Sequence, residues 1–481
     1  MYDRPQRDAD CSSKGDWKGM ENVSVQDIVL ATGGVLLSGD DGVMLNKIRL
    51  DSRQVETGDL FVPIIGEKVD AHKFLEQVAE KGAGAVLTSE HKEKTEEMAE
   101  TSCAWIAVDD TKKALQAVGR YLRKRLTLPI VGITGSVGKT TTREMIAAAL
   151  SARFHVYKTP GNSNSQVGVP ITIAEIPQSA EIGVIELGMS EPGEMERIAR
   201  VARVDCAVMT NIGIAHIEQL GSQECILEEK LHIQEGMPPE GILFLNGDDP
   251  LLASVVPKEG RKKVLYGLGR DCDYRAEDLH LEEGYPVFTA VHGDCRVRVR
   301  LKVMGSHMVS NAMAALAVAD TYGLSMEKAA LALGQFKGYK GRQQIFEWGG
   351  VTVIDDSYNA SPVSMKAGLE VLDSVKGERK IAVLADMKEL GPDTERFHAE
   401  IGAYIGEHPL DMVLLLGELA ACIGSGMDAA RAATPHIEID SLDQAEKWLD
   451  ENIREGDCIL FKGSNSMKLS EAVKHLKETR S

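Results

Sequence analysis

The stretch Leu128-Pro129-Ile130-Val131-Gly132-Ile133-Thr134-Gly135-Ser136-Val137-Gly138-Lys139-Thr140-Thr141-Thr142 constrains the fold of this chain more than any other. An apolar run with the character of a buried strand ends in glycines, a lysine and threonines, then enters Met145, Ile146, Ala149 and Leu150 at helical spacing. A strand that turns through glycines directly into a helix gathers unpaired backbone N–H groups, a helix N-terminus and an ammonium around one small volume. That volume suits a polyphosphate, and the Thr140 hydroxyl is placed to ligate the Mg²⁺ that accompanies a nucleotide. The loop is the short form Gly-x-x-Gly-Lys-Thr, because Ile133 stands where the longer phosphate-loop pattern has its first glycine. A bare glycine-rich turn would only join a strand to a helix; Lys139-Thr140-Thr141 behind a strand favours a nucleotide.

With 481 residues the chain has room for about three domains. Its net charge of −19 argues against non-specific binding to nucleic acid or anionic membrane, so an anionic substrate must be held by local Lys, Arg and helix ends. No apolar run reaches the length of a membrane span, and no membrane insertion is expected. The cysteines are scattered without a C-x-x-C pair, which suits a reduced, cytoplasmic protein. Residues 1–19 are polar, lack the apolar centre of a signal peptide and read as a disordered extension; foldable sequence begins at Met20.

From there the expected fold is α/β in three domains. Residues 20–108 mix short strands and helices. Residues 109–333 alternate strand and helix as in a mainly parallel sheet, with strands at Ile182–Leu187, Ala207–Asn211 and Ile242–Asn246. Gly334, Gly338 and Gly341 mark a boundary and a hinge. Residues 334–481 carry strands at Val351–Asp355, Ile381–Leu384, Met412–Leu416 and Cys458–Lys462, a second, Rossmann-like unit.

Strand ends deliver the candidate chemistry, since in open α/β sheets the carboxyl ends of strands line the ligand crevice. Glu186 and His216 fall on the same edge as Lys139 and Thr140, close enough to share Mg²⁺. Taken singly, each reads as a solvated strand-end carboxylate or a hydrogen-bonded loop histidine. Glu228-Glu229-Lys230 reads by composition as a solvated helical charge run. In Gly305-Ser306-His307-Met308-Val309-Ser310-Asn311, Ser306 is a candidate N-cap, with Ala312, Ala315, Leu316 and Ala319 as the buried stripe. Asn311 is placed either to read an adenine edge or to serve as a capping amide. Arg342, at the boundary, can reach back to a phosphate through its planar fork. Asp355-Asp356-Ser357-Tyr358-Asn359 and Lys462-Gly463-Ser464 end two strands and define a second binding face.

Read in order, these segments resemble the Mur ligase family over nearly the whole chain from about residue 24. The resemblance is carried by Asp51-Ser52-Arg53, Gly58-Asp59-Leu60-Phe61-Val62, Gly135–Thr141, Thr159-Pro160-Gly161-Asn162, Glu186-Leu187-Gly188-Met189, Asn211-Ile212-Gly213 with Ala215-His216, Asn311-Ala312, Gly341-Arg342, Asp355–Asn359, Asp386-Met387-Lys388-Glu389-Leu390-Gly391 and Lys462-Gly463-Ser464. It implies an N-terminal uridine-nucleotide domain, a central ATPase and a C-terminal Rossmann-like domain. It further implies an ATP-dependent ligase in peptidoglycan precursor synthesis. The Asp-Asp-Ser-Tyr-Asn and Asp-Met-x-Glu-Leu-Gly segments favour the member that joins D-Ala-D-Ala to the carboxylate of UDP-N-acetylmuramoyl-tripeptide through an acyl phosphate.

By the same resemblance Gly135, Ser136, Val137, Gly138, Lys139, Thr140 and Thr141 bind ATP, with Lys139 on the β- and γ-phosphates. Asn311, Arg342 and Asp356 attend adenine, phosphates and ribose. Ser52, Arg53 and Asn162 face the UDP-linked substrate. Thr140 and Glu186 ligate one Mg²⁺ and His216 helps ligate a second. Lys230, fourteen residues after His216 (230 − 216 = 14), is a CO₂-derived carbamate that joins the metal ligands, and with Lys139 and His216 forms the catalytic set. The precedent is monomeric. Two departures stand out: Val137 replaces a common asparagine, and Ser165 replaces the later asparagine of the Gly161-Asn162 segment. Relatives of the same fold that add a single amino acid or glutamate to another acceptor, including folylpolyglutamate synthetase, and a nucleotide-gated switch are the competing readings.

Overall fold

A computed structural model describes residues 20 and 22–480 except 97 and 99; the 1–19 extension lies outside the described residues. Its strands form three sheets. The first orders Val35–Ser38, Ala104–Ala107, Ala85–Thr88, Leu60–Phe61 and Ile48–Arg49, parallel except for its first pair. In the last, Val351–Asp356 and Arg379–Ala385 flank Asp457–Lys462 in parallel, with Met412–Leu416 and His436–Ile439 beyond and antiparallel Gln344–Trp348 at the near edge. The expected Rossmann-like arrangement is thereby borne out.

The central sheet positions the site. Ile130–Thr134, wholly buried, lies between Ile182–Glu186 and Cys206–Met209, all parallel. The chain runs outward to Val156–Lys158 on one side and to Ile242–Asn246 and Lys262–Gly267 on the other. The order reverses around Ile130–Thr134, and the crevice at its carboxyl end is where such sheets bind ligands. An antiparallel extension, Tyr274–Glu282, Tyr285–His292 and Cys295–Arg300, continues the sheet; the alternation Arg296, Arg298, Arg300 keeps its edge strand charged on the solvent face.

Helix Lys139–Leu150 follows the phosphate loop and packs on Met308–Thr321, whose Ala312 to Ala319 run is fully buried. The predicted alanine stripe is therefore present, but it extends around the helix because small side chains admit neighbours on every side. The expected Ser306 cap is corrected. Gly305 takes a left-handed turn (φ 97°), the helix starts behind His307 without a side-chain cap, and the exposed Ser306 offers its carbonyl to Val309 N–H. Helix Thr111–Arg125 is capped by Asp110 and sits in a core shared by the first and central sheets.

Candidate active site

The phosphate loop is held from behind. Val137 N–H donates to Asn211 Oδ1 (2.8 Å), while Thr210 Oγ1 and Asn211 Nδ2 donate to Val137 carbonyl (2.6 and 3.0 Å). Gly213 N–H donates to Ser136 Oγ (2.9 Å). These are main-chain contacts at 137, so valine in place of asparagine leaves the loop's shape intact. Gly135 (φ 146°) has no room for a side chain, because a Cβ there would lie 1.9 Å from Thr210 Oγ1. Gly138 (φ 86°) turns the chain into the helix, whose first N–H groups face the cavity.

That cavity, about 650 Å³, lies between the central and C-terminal sheets. From the central unit it is lined by Ser136–Thr141, Asn162, Glu186, His216 and Asn311; from the C-terminal unit by Arg342, Asp356, Lys388, Glu389 and Lys462. Thr140 Oγ1 lies 3.1 Å from Glu186 Oε2, and Asn164 Nδ2 donates to Glu186 Oε1 at 2.8 Å. Asn164 was not anticipated: it supplies an amide beside the position where Ser165 replaces asparagine, while Ser165 Oγ accepts from Gly168 N–H (3.2 Å). A hydroxyl and a carboxylate at this spacing, with His216 on the same wall, form a donor set that fits Mg²⁺.

Beneath them lies Arg143, 0% exposed. It donates to Glu144 Oε1 (2.7 Å), Gly161 carbonyl (2.8 Å) and Glu186 Oε2 (3.3 Å), tying the metal-site acid to the loop that carries Asn162. Lys158 completes the network on Glu144. A charged pair between the Lys139–Thr142 opening of the helix and its apolar run from Met145 was the available signal for it.

Of the cations that line the cavity, Lys462 is paired with a carboxylate, whereas Lys139 and Arg342 form no ion pair among the described residues. Lys139 Nζ donates to the carbonyls of Gly135 (2.7 Å) and Ser136 (3.3 Å). Burial lowers its pKa, opposed by Glu186 and assisted by Arg342. Arg342 packs its guanidinium over the Tyr358 ring at 4.2 Å, and burial lowers its pKa too. Lys462 Nζ bonds Asp356 Oδ2 (2.5 Å) and Asn359 carbonyl (3.2 Å), joining two strand ends 106 residues apart. Cations brought together out of water stabilise an entering polyanion.

Lys230 is 1% exposed and stands behind the cavity wall rather than on it. Burial, then the nearby Lys139 charge, pushes its pKa well below the usual lysine range. Its neighbour Glu229 is committed elsewhere, accepting from Gly193 and Met195 N–H (both 2.9 Å). The bland reading of Glu228-Glu229-Lys230 as a solvated face is thus corrected: Glu229 and Lys230 are buried, because the helix packs against Glu194–Ala202. A neutral, desolvated amine is the form that adds CO₂, losing a proton as the N–C bond forms, and the resulting anion would be attracted to the Lys139 ammonium, so the residue fits the carbamate.

His216 adopts φ 65°, and its Nδ1 lies 2.8 Å from Glu389 Oε2 of the C-terminal unit, itself at φ 61°. Asn311 accepts from Thr142 Oγ1 (3.0 Å) at the cavity floor. Ser52 and Arg53 are not brought to this cavity. Ser52 is buried in the first unit, where its carbonyl accepts from Lys81 Nζ (3.0 Å). The exposed Arg53 pairs with Asp51 (2.6 Å), drawing that carboxyl down to about 2. Asn162 lines the central cavity instead.

Residues 45–122 match the Mur ligase family catalytic domain, residues 133–319 the Mur ligase middle domain and residues 341–465 the Mur ligase glutamate ligase domain. The chain is 39% identical over 444 residues to the UDP-N-acetylmuramoyl-tripeptide–D-alanyl-D-alanine ligase of Bacillus subtilis, covering 91% of this chain and 94% of that one. It is 30% identical over 464 residues to the Escherichia coli protein of the same name, covering 95% and 99%. Among solved structures it is similar to MurF of Acinetobacter baumannii (TM-score 0.86, 29% identity, 96% of this chain and 100% of that one). MurF of Thermotoga maritima in complex with ADP is also similar (TM-score 0.79, 29% identity, 90% and 97%).

Proposed function

This chain belongs to the Mur ligase family, and from that premise we propose that it is an ATP-dependent peptide ligase joining D-Ala-D-Ala to UDP-N-acetylmuramoyl-tripeptide. The observation that carries the reading is that one cavity gathers the phosphate loop, the Thr140–Glu186 pair and the C-terminal strand ends at Asp356 and Lys462. A binding module needs only the first of these. A ligase needs all, because phosphoryl donor, acid and amine must meet.

In the reaction a carboxylate oxygen of the tripeptide bonds to the γ-phosphorus as the bond to ADP breaks. The dipeptide amine then adds to the acyl phosphate carbon, loses a proton, and the C–O bond to phosphate breaks. The chain positions these groups and balances charge; it supplies no covalent nucleophile. Loop amides from Ser136 to Thr141 cradle the phosphates, Lys139 turns from its own loop carbonyls onto the β- and γ-oxygens, and Arg342 meets them from the C-terminal unit. Asn311 and Asp356 take adenine and ribose. Thr140, Glu186, His216 and carbamylated Lys230 would hold Mg²⁺, whose charge offsets that developing on the transferred group. Ser52 and Arg53 receive the uridine diphosphate at a distance, and Asn162 faces the peptide end.

The units divide near residues 109 and 334, between the last strand of one sheet and the first of the next. The cavity is complete within one chain, which favours a monomer. Free thiols at all seven described cysteines suit the cytoplasm. No described helix is long and apolar enough to cross a membrane.

Incubation with ATP, Mg²⁺, D-Ala-D-Ala and a UDP-muramyl tripeptide ending in lysine or diaminopimelate, with products weighed by mass spectrometry, tests the assignment. The expected product is the UDP-linked pentapeptide, with ADP release that depends on the dipeptide. ADP release indifferent to every amine would support a nucleotide switch instead.

A further inference from the structure

Arg342 reaches the cavity from an unusual stretch of backbone. Gly338 (φ 91°), Gly341 (φ 67°) and Gln343 (φ 52°) all occupy the left-handed region around it. Glycines adopt that region freely; glutamine, with its Cβ, does not, so something must hold Gln343 there. Sheet pairing of Gln344 with Asp355 and the bond from Tyr358 N–H to Gly341 carbonyl hold the flanking backbone, and the side chain of Gln343 is tied across the unit boundary by one hydrogen bond, from His307 Nε2 to its Oε1 at 2.9 Å, over 36 residues of chain.

His307 is fixed in turn. It stands immediately before helix Met308–Thr321, one turn ahead of Asn311, with its ring beside Gly305. A Cβ at Gly305 would come within 2.5 Å of His307 Cε1. Burial lowers the imidazole pKa and keeps the ring neutral; with Nε2 carrying its proton toward Gln343, Nδ1 is left as a buried atom without a partner. Arg342 forms no ion pair among the described residues, and only the Tyr358 ring and the backbone on either side set its direction.

We propose that the His307–Gln343 hydrogen bond is a clasp that aims Arg342 at the nucleotide phosphates by fixing the backbone beside it to the helix bearing Asn311. His307 and Gln343 line the same cavity as Arg342 and are positioning residues in this scheme, acting through Arg342. The inference rests on the reading of Arg342 as a phosphate ligand given above.

The test is steady-state kinetics of the full-length enzyme, with thermal unfolding alongside. Losing one positioning hydrogen bond is expected to lower kcat/KM for ATP about tenfold in His307→Asn and in Gln343→Leu, with KM for the dipeptide unchanged. The double variant falls no further than either single one, because both remove the same contact. His307→Gln, whose amide nitrogen reaches the place of Nε2, restores the rate to within about threefold. Gln343→Gly separates positioning from folding: glycine takes the backbone angle without strain, so the melting temperature holds or rises while kcat/KM still falls. Additive losses, or full activity in Gln343→Gly and Gln343→Leu, overturn the clasp. Arg342→Ala is the control on the underlying reading: if it ligates normally, the phosphate role of Arg342 fails; if it is crippled while the clasp variants are not, only the clasp fails.

Discussion

Lys139 and Lys230 show how far burial changes what a residue can do. Both are lysines withdrawn from water and near one another, and in both burial is the first cause of a lowered pKa. Lys139 has loop carbonyls on its ammonium and keeps a cation's role. Its replacement by alanine is expected to cut ligation at saturating ATP by about 10³-fold or more, in the range of lost phosphoryl-charge stabilisation, while the fold melts as before. Near-normal turnover would remove it from the reaction. Lys230 forms no ion pair among the described residues, its acidic neighbour Glu229 being bound to the amides of Gly193 and Met195, and the proposed addition of CO₂ would turn it into an anion. Stripping CO₂ and bicarbonate should lower the rate and weaken Mg²⁺ dependence, bicarbonate should restore both, and Lys230→Ala should respond to neither. Lys139 was legible because its meaning is local: strand, glycines, lysine, helix. Lys230 was not, since Glu228-Glu229-Lys230 looks solvated until the helix it sits on is packed. Asn164 and Arg143 were missed for a related reason; their partner Glu186 lies 22 and 43 residues away, and the pairing of Lys462 with Asp356, two residues placed on the second binding face, spans 106.

At the scale of elements, the phosphate loop is one piece with the segment behind it. Thr210 and Asn211 at the end of one strand hold Val137, and Thr210 fills the space beside Gly135. Gly135→Ala therefore has to displace Thr210 as well as strain its own backbone. We expect a loss of about 2 kcal/mol or more in unfolding free energy together with weakened ATP binding, measured by denaturant titration and calorimetry. A stable variant with unchanged nucleotide affinity would show that the loop does not need this shape. Strands and helices were readable because apolar runs of four to seven residues stop at polar or glycine positions in each sheet. The start of helix Met308–Thr321 was not: the capping rule favours Ser306, but the glycine turn ahead of it leaves Ser306 exposed and puts His307 in the turn.

Across the whole molecule, an acidic chain of net charge −19 surrounds a cavity lined by desolvated cations from two units. Arg342 and Lys462 of the C-terminal unit line the same cavity as Lys139, and the contact of Glu389 with His216 joins the same two units. Glu389→Ala should raise KM for ATP severalfold and increase the radius of gyration seen by small-angle scattering, since a half-exposed contact between units governs closure more than folding. An unchanged scattering profile and KM would make that contact incidental. The central claim, that this cavity turns a carboxylate into an acyl phosphate, is tested most directly by following labelled oxygen. With heavy oxygen in the terminal carboxylate of the tripeptide, one labelled atom per turnover is predicted to appear in the released inorganic phosphate; phosphate that carries none would contradict the account.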